Sequence, residues 1–348
     1  MRQYNQQAFE LSWRRKTKGY QSELTAGVRR SWVGGTTDTG SPAINQTLYL
    51  PSANLRLRFN LSEGQTLLFG YNWNFVELQL QQLQPLIDNE DPLSVQVGNT
   101  QLLPEQQHRS YWRWDRYNKT KFTNFYLGGQ FIALFNTIVR AQSLDAQLRS
   151  VFRLINVGPT YEALVNAGYN GLLQRPKLKL DLSVEGAWEQ RPIAVDAATT
   201  QQTQWRYNGQ VVLSNSTKKI VDLALVVRVQ GSIAYYPVEL EQPALEYLNH
   251  SYGGRFRVTI AKHWNIQTQF SAYAYSRSTF AQTLRVPLWS VELKRGFLKD
   301  GALEVSLSGE NLLNESLQIR RFQTNGLLTE QRSLLLGRFL MLAARYKF

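Results

Sequence analysis

The chain has 348 residues with 39 Lys and Arg against 26 Asp and Glu, a net charge of +13, no cysteine, and 9 Trp, 17 Tyr and 16 Phe. The absence of cysteine excludes disulfide scaffolds, thiolate zinc sites, iron–sulfur clusters and cysteine nucleophiles, and no cofactor is expected. The longest nearly apolar stretch, 334–344, contains Gly337 and Arg338 and falls short of the ~18–20 residues a spanning helix needs, and so aromatic a chain does not stay disordered.

Period-two alternation runs from end to end. It is plainest where Leu178, Leu180, Leu182, Val184 and Trp188 alternate with Lys177, Lys179, Asp181, Ser183, Glu185 and Glu189. Side chains on a strand point to alternate faces, so one face is apolar and the other charged. The alternation predicts an all-β chain of fifteen strands. They lie near 8–16, 22–36, 51–61, 65–79, 107–117, 123–140, 150–171, 176–190, 203–214, 220–236, 251–262, 266–277, 284–298, 302–312 and 333–348. The strand at 150–171 is kinked at Gly158-Pro159. Turn residues make short connections at one end, and long polar connections lie at the other.

Such a meander is an antiparallel up-and-down arrangement. Its strands exceed the ~5–6 residues usual in soluble sheets and reach the ~9–11 that cross a bilayer at a tilt. The reading is a transmembrane β-barrel in a bacterial outer membrane. Trp13, Trp32, Trp112, Trp114, Trp188 and Trp264 are candidate girdle residues at the lipid headgroups. The competing reading makes them core residues of a large soluble sandwich, but nothing is left in the chain to cover the apolar parity.

Outer-membrane barrels normally have an even strand number and are secreted. An odd count and the absence of an apolar leader at the start of the sequence predict one barrel domain over 1–348, truncated at its N-terminus and part of a larger, ~22-stranded barrel. A miscounted strand between 142 and 171 is the alternative.

Three stretches resemble the C-terminal barrel of TonB-dependent outer-membrane receptors, specifically the barrel family of Bacteroidetes-type bacteria. In the first, residues 83–117, Gly98, Asn99, Leu102 or Leu103, Pro104 and Glu105 match an element that opens a strand after an Asn- and Asp-rich loop. The second is GENLLNES at 309–316, with Leu313 where Phe is more usual. The third is GRFLMLAARYKF at 337–348, where Tyr346 and Phe348 resemble a C-terminal assembly signal. Beside the resemblance, Gly98 and Asn99 suit a turn, and Pro104 suits a strand start where no ladder bond is lost.

The resemblance implies transport: barrel wall and extracellular loops of a receptor that takes up a scarce nutrient. The implied partners are outer-membrane lipid and the missing N-terminal plug and barrel portion. Through that missing part the inner-membrane energy-transducing complex follows, and a surface lipoprotein is a further implied partner. The alternative is a passive porin-like or secretion-associated barrel without energised transport. Arg56, Arg58, Lys177, Lys179, Arg255 and Arg257, with Arg206 and Arg228, share the polar parity and are candidate lumen residues. They either attract an anionic substrate or pair with inward acids such as Asp181, Glu185 and Glu304 and with a plug.

The remaining candidates are weaker. Asp88, Glu90 and Asp91 in a long loop admit a calcium reading, though exposed acidic loops are common. His108, His250 and His263 stand apart, so no metal site is expected. Basic residues are dispersed rather than clustered, which argues against nucleic acid. No Gly-x-Ser-x-Gly elbow, phosphate loop or dinucleotide fingerprint occurs, so the chain is not expected to be an enzyme.

Overall fold

The computed structural model describes residues 2–35, 44–83, 87–91, 94–144, 149–173, 177–195, 198–215, 220–237, 243–260, 264–275, 284–298, 302–324 and 327–347. In chain order the elements begin β1 (Arg2–Lys16), β2 (Tyr20–Gly35), β3 (Ile44–Ser62), β4 (Gln65–Val76), α1 (Leu80–Leu83), β5 (Ile87–Asp91), β6 (Ser94–Val97) and β7 (Glu105–Asn118). There follow β8 (Thr123–Phe135), β9 (Ile138–Leu144), β10 (Ser150–Asn156), β11 (Thr160–Leu173), β12 (Leu178–Val195), β13 (Ala198–Asn215) and β14 (Val221–Tyr235). The last are β15 (Leu245–Ile260), β16 (Trp264–Tyr275), β17 (Leu284–Phe297), β18 (Leu303–Glu310), β19 (Leu317–Thr324), β20 (Leu327–Leu334) and β21 (Phe339–Tyr346).

Fifteen strands form one antiparallel sheet in the order β1-β2-β3-β4-β7-β8-β11-β12-β13-β14-β15-β16-β17-β18-β21. Cross-strand register turns the alternation of each strand into two continuous faces. Trp13 lies opposite Leu24, Leu24 opposite Leu55, and Leu55 opposite Tyr71, so one row is apolar. One residue away, Arg14 lies opposite Glu23 and Glu23 opposite Arg56. On β12, Leu182 faces Tyr169 and Val211, while Ser183 lies on the other side. A one-residue slip would exchange the two faces throughout, so the register is strongly specified.

The apolar face is uncovered: Phe9 and Leu11 are 70% exposed and Trp205 is 51% exposed. So large an apolar surface is stable against hydrocarbon and unstable against water. No described helix is long and apolar enough to cross a membrane, and the strands do the crossing. Three glycines of the sheet lie under rings of the strand alongside. Side-chain atoms of Tyr111, Tyr126 and Tyr207 come within 2.1, 2.3 and 2.3 Å of where a Cβ on Gly70, Gly168 and Gly231 would stand. Each ring covers backbone that its glycine leaves bare.

The short turns match the expected end of the wall. Thr17 N donates to Tyr20 O at 2.8 Å. Gly64 has φ 76°, and a Cβ there would meet Tyr117 O at 2.2 Å, so only glycine fits.

Two expected strands are corrected. The kinked strand at 150–171 is two strands: β10 leaves the wall, and β11 resumes at Thr160. Pro159 cannot donate a ladder bond, which favours the break. The expected strand at 123–140 divides after Phe135, where Asn136 takes φ 56° and ends the extended run. Elsewhere β1 starts earlier than expected, at Arg2, and β21 is shorter. The strand edges β1 and β21 are not paired with each other.

Candidate functional site

The connections at the long-loop end have structure of their own. The segment between β4 and β7 and the segment between β8 and β11 together build a four-stranded sheet ordered β5-β6-β10-β9. Its central pair is parallel, Ser94 opposite Ser150 through Val97 opposite Arg153. Beneath it Leu78, Leu83 and Leu102 form a small core with Ile138 and Leu154, and Leu83 and Leu102 are 0% exposed. Side-chain hydrogen bonds add to this small core.

Asn99 Nδ2 donates to Leu154 O at 2.9 Å while its Oδ1 accepts from Gln101 N at 3.0 Å. Asn156 Oδ1 accepts from Leu103 N at 2.8 Å, and its Nδ2 donates to Leu103 O at 2.9 Å and Asn136 O at 2.8 Å. Glu105 Oε1 accepts from Ile138 N at 2.7 Å. The Asn99–Leu154, Asn156–Leu103 and Glu105–Ile138 bonds join one connection to the other, and the bonds to Gln101 and Asn136 brace each connection internally.

The last connection is gripped in the same way. Asn311 and Asn314 take φ 48° and 58°, a conformation asparagine tolerates better than most residues. Asn311 Nδ2 donates to Glu315 O at 2.7 Å and Leu336 O at 2.8 Å, and Asn314 Oδ1 accepts from Arg338 N at 2.9 Å. Together they hold the base of the β19–β20 hairpin. Farther out, Ile319 packs with Tyr275 and Val286.

The polar face is charged but largely neutralised. Arg113 Nε is 3.0 Å from Asp115, Lys294 Nζ is 3.0 Å from Glu292, and Lys179 Nζ is 3.4 Å from Asp181. Arg206 reaches Glu189 at 3.5 Å and Glu162 at 3.8 Å, and Arg255 reaches Asp222 at 3.7 Å. Glu77 accepts from Arg29 and from Gln6. Partly exposed pairs of this kind each contribute about 0–1 kcal/mol, so they cancel charge more than they stabilise. A cleft of ≈ 640 Å³ on this face, beside the cap, is lined by Glu10, Arg29, Asn54, Asn72, Arg109 and Tyr111 among others.

The outer membrane protein β-barrel family matches residues 12–346. The chain belongs to that family. It is a protein of the bacterial outer membrane, and its sheet is the wall of a β-barrel. Among solved structures it is similar to the siderophore receptor PirA of Acinetobacter baumannii, at 9% identity and a TM-score of 0.49, over 99% of this chain and 57% of that one. It is also similar to the ferric-catecholate import receptor Fiu of E. coli in an open form, at 8% identity and a TM-score of 0.46, over 99% of this chain and 66% of that one. The chain thus spans little more than half of the PirA chain. None of the curated proteins matches it.

Within this family's wall and mouth the candidate residues take definite places. Asn99 and Glu105 are clasp residues, Gly98 immediately precedes the first, and buried Pro104 immediately precedes the second at the start of β7. Trp13, Trp32, Trp112, Trp114, Trp188 and Trp264 all fall on the apolar face by register. Trp13, Trp114 and Trp264 lie near the short turns, Trp32 near the other end of β2, and Trp112 and Trp188 farther inside their strands. Trp114 meets Phe125 at 5.7 Å, and Arg295 lies 4.8 Å over Trp264. Tyr346 ends β21 opposite Leu303, whereas Phe348 lies outside the described residues.

Of the basic residues, Arg56, Arg58, Lys179, Arg206, Arg228, Arg255 and Arg257 lie on the polar face, and Lys177 lies in the turn before β12. Arg228 and Arg257 donate to Gln210 at 2.6 Å and Gln267 at 2.9 Å rather than to carboxylates. Asp88, Glu90 and Asp91 lie on β5, but their side chains fall outside the described residues, as does His263. No group of three metal-ligating side chains occurs among the described residues. His108 instead accompanies Tyr71, whose hydroxyl is 2.7 Å from Nδ1, and stacks on Trp73 at 5.9 Å.

The residues that sequence reasoning missed are Glu77, Asn136 and Asn156, whereas Asn311 and Asn314 belong to the GENLLNES stretch that stood out by resemblance. Asparagine where a strand pattern stops was the available signal, because its amide can replace ladder partners.

Proposed function

We propose that the chain supplies the wall and extracellular mouth of a TonB-dependent receptor of the Bacteroidetes type, which imports a scarce nutrient across the outer membrane. The observation that carries this reading is the cap. Two connections separated in sequence by β7 and β8 fold into one sheet and are tied by Asn99, Asn156 and Glu105, so the mouth is built to hold a shape. An open passive pore has no use for such an ordered mouth, whereas selective capture does.

The strand parity fits the same reading. Fifteen strands with only antiparallel neighbours leave β1 and β21 running in the same direction. Closing them with antiparallel pairs takes an odd number of further strands, and we assign these, with a plug domain, to the rest of the receptor. The inner-membrane energy-transducing complex acts through that plug, and a surface lipoprotein is the partner proposed at the mouth.

The test is uptake of ferric chelates, cobalamin, oligosaccharides and peptides by cells with and without the gene, before and after the proton gradient is dissipated. Gene-dependent uptake that stops with the gradient supports energised import. Gene-dependent uptake that persists assigns the protein to passive porin-like or secretion-associated barrels.

A further inference from the structure

Along the polar face many cations have a carboxylate within reach and Arg228 and Arg257 bond glutamines, but at one place several cations without a carboxylate partner converge. At the short-turn end of β1–β3 a cleft of ≈ 300 Å³ is lined by Arg14, Arg15, Lys16, Gln21, Ser22, Glu23, Arg56 and Arg58. Register puts Arg14, Lys16, Gln21, Glu23, Arg56 and Arg58 on the polar face, with Arg15 and Ser22 on the other. The only carboxylate in the lining, Glu23, is engaged by Arg14 Nε at 2.9 Å and Nη2 at 2.7 Å. Lys16, Arg56 and Arg58 have no carboxylate partner among the described residues, in contrast to Arg29, Arg113, Lys179, Arg206, Arg255 and Lys294.

Three uncompensated cations in one concavity repel one another, and an anion between them relieves that repulsion. Arg56 and Arg58 stand two residues apart on β3, so their guanidinium groups rise from the same face and can fork onto one tetrahedral anion. Lys16 approaches from the edge strand as a third charge, and Gln21 offers an amide donor.

We infer that Lys16, Arg56 and Arg58, with Gln21, form a binding site for a soluble phosphate-type oxyanion at the periplasmic end of the barrel's inner face. Phosphate accepts several charge-assisted bonds at once and matches the arginine fork. The cleft opens on the polar face, so the source is a soluble phosphate compound rather than a phospholipid headgroup. Arg56 also lines the larger cleft nearer the cap, so an anion in transit meets it before it meets Arg58 and Lys16. The site stands whether or not transport is energised.

The experiment uses the full-length protein extracted from outer membranes in detergent, with inorganic pyrophosphate as the probe. Arginine modification by phenylglyoxal is read by peptide mass spectrometry, with Arg228, on the same face but outside the cleft, as the internal control. The expected result is that pyrophosphate slows modification of Arg56 and Arg58 about tenfold and leaves Arg228 unchanged, with protection falling as salt rises. Equilibrium binding of pyrophosphate should weaken about tenfold or more in the Arg56→Gln/Arg58→Gln variant and stay unchanged in Lys294→Gln. Equal protection of Arg228, no protection at all, or protection only by phosphatidylglycerol vesicles overturns the assignment. The protection measurement needs no variant, so a misfolded double variant leaves the test intact.

Discussion

The wall and the cap are built on opposite principles. In the wall, neighbouring strands satisfy one another's backbone over runs such as Leu178–Val195, and side chains need only alternate. In the cap the strands are as short as Ser94–Val97, and the side chains of Asn99, Asn156 and Glu105 bond backbone groups of Leu154, Leu103 and Ile138 across the two connections. A ladder tolerates many side chains and fails all at once, whereas a clasp depends on a few amides and can open locally while the wall stands.

The sharpest break between the two regions is expected at Leu102. Leu102→Ala removes a fully buried side chain from a core of a few residues and should cost the cap about 2–5 kcal/mol. Hydrogen exchange should then accelerate in 87–97 and 138–156 and remain slow in β12 and β13. On the wall, Leu182→Arg places a charge in the apolar row and should cost about 2–4 kcal/mol in urea unfolding from lipid vesicles. Ser183→Arg, one residue away on the polar face, should cost under about 1 kcal/mol.

Asn156→Ala strands the backbone groups of Leu103 and Asn136 and should loosen the cap by about 1–3 kcal/mol, read as faster proteolysis of the 77–104 connection. The smallest effect belongs to the exposed pair Lys119 and Glu63 at the short turns, 2.7 Å apart. The hydrogen bond from Lys119 holds the Glu63 carboxyl below its ordinary range. A depressed carboxyl contributes above its unfolded value, and that contribution is lost as pH falls through the folded one. Because both groups are in solvent, Lys119→Gln should leave the unfolding midpoint unchanged at neutral pH.

The same contrast explains what the sequence made legible. Alternation at 178–190 and at 54–61 specifies strand, face and register together, so the wall could be read residue by residue. The cap could not. Ile87–Asp91 carries no alternation, Ser94–Val97 is too short to show any, and the parallel partner of Ser94 lies at Ser150. β10, SVFRLIN, is apolar without strict alternation and runs on toward β11 through Gly158-Pro159, so it read as the start of that strand, and nothing local said that Asn156 turns it away. Gly98, Asn99, Pro104 and Glu105 stood out by resemblance, while their geometry as a clasp emerged only when the second loop was in place. For Arg56 and Arg58 parity gave the face, but whether a carboxylate lay within reach depended on the register of β2 against β3.

The account stands or falls on which face of the sheet meets lipid. The chain has no cysteine, so single substitutions along β12 can be labelled without background. Leu180→Cys, Leu182→Cys and Val184→Cys should resist a membrane-impermeant maleimide in isolated outer membranes, while Lys179→Cys, Asp181→Cys and Ser183→Cys should react. Labelling in the reverse parity, or with no alternation, would contradict an outer-membrane wall with its charged face inward.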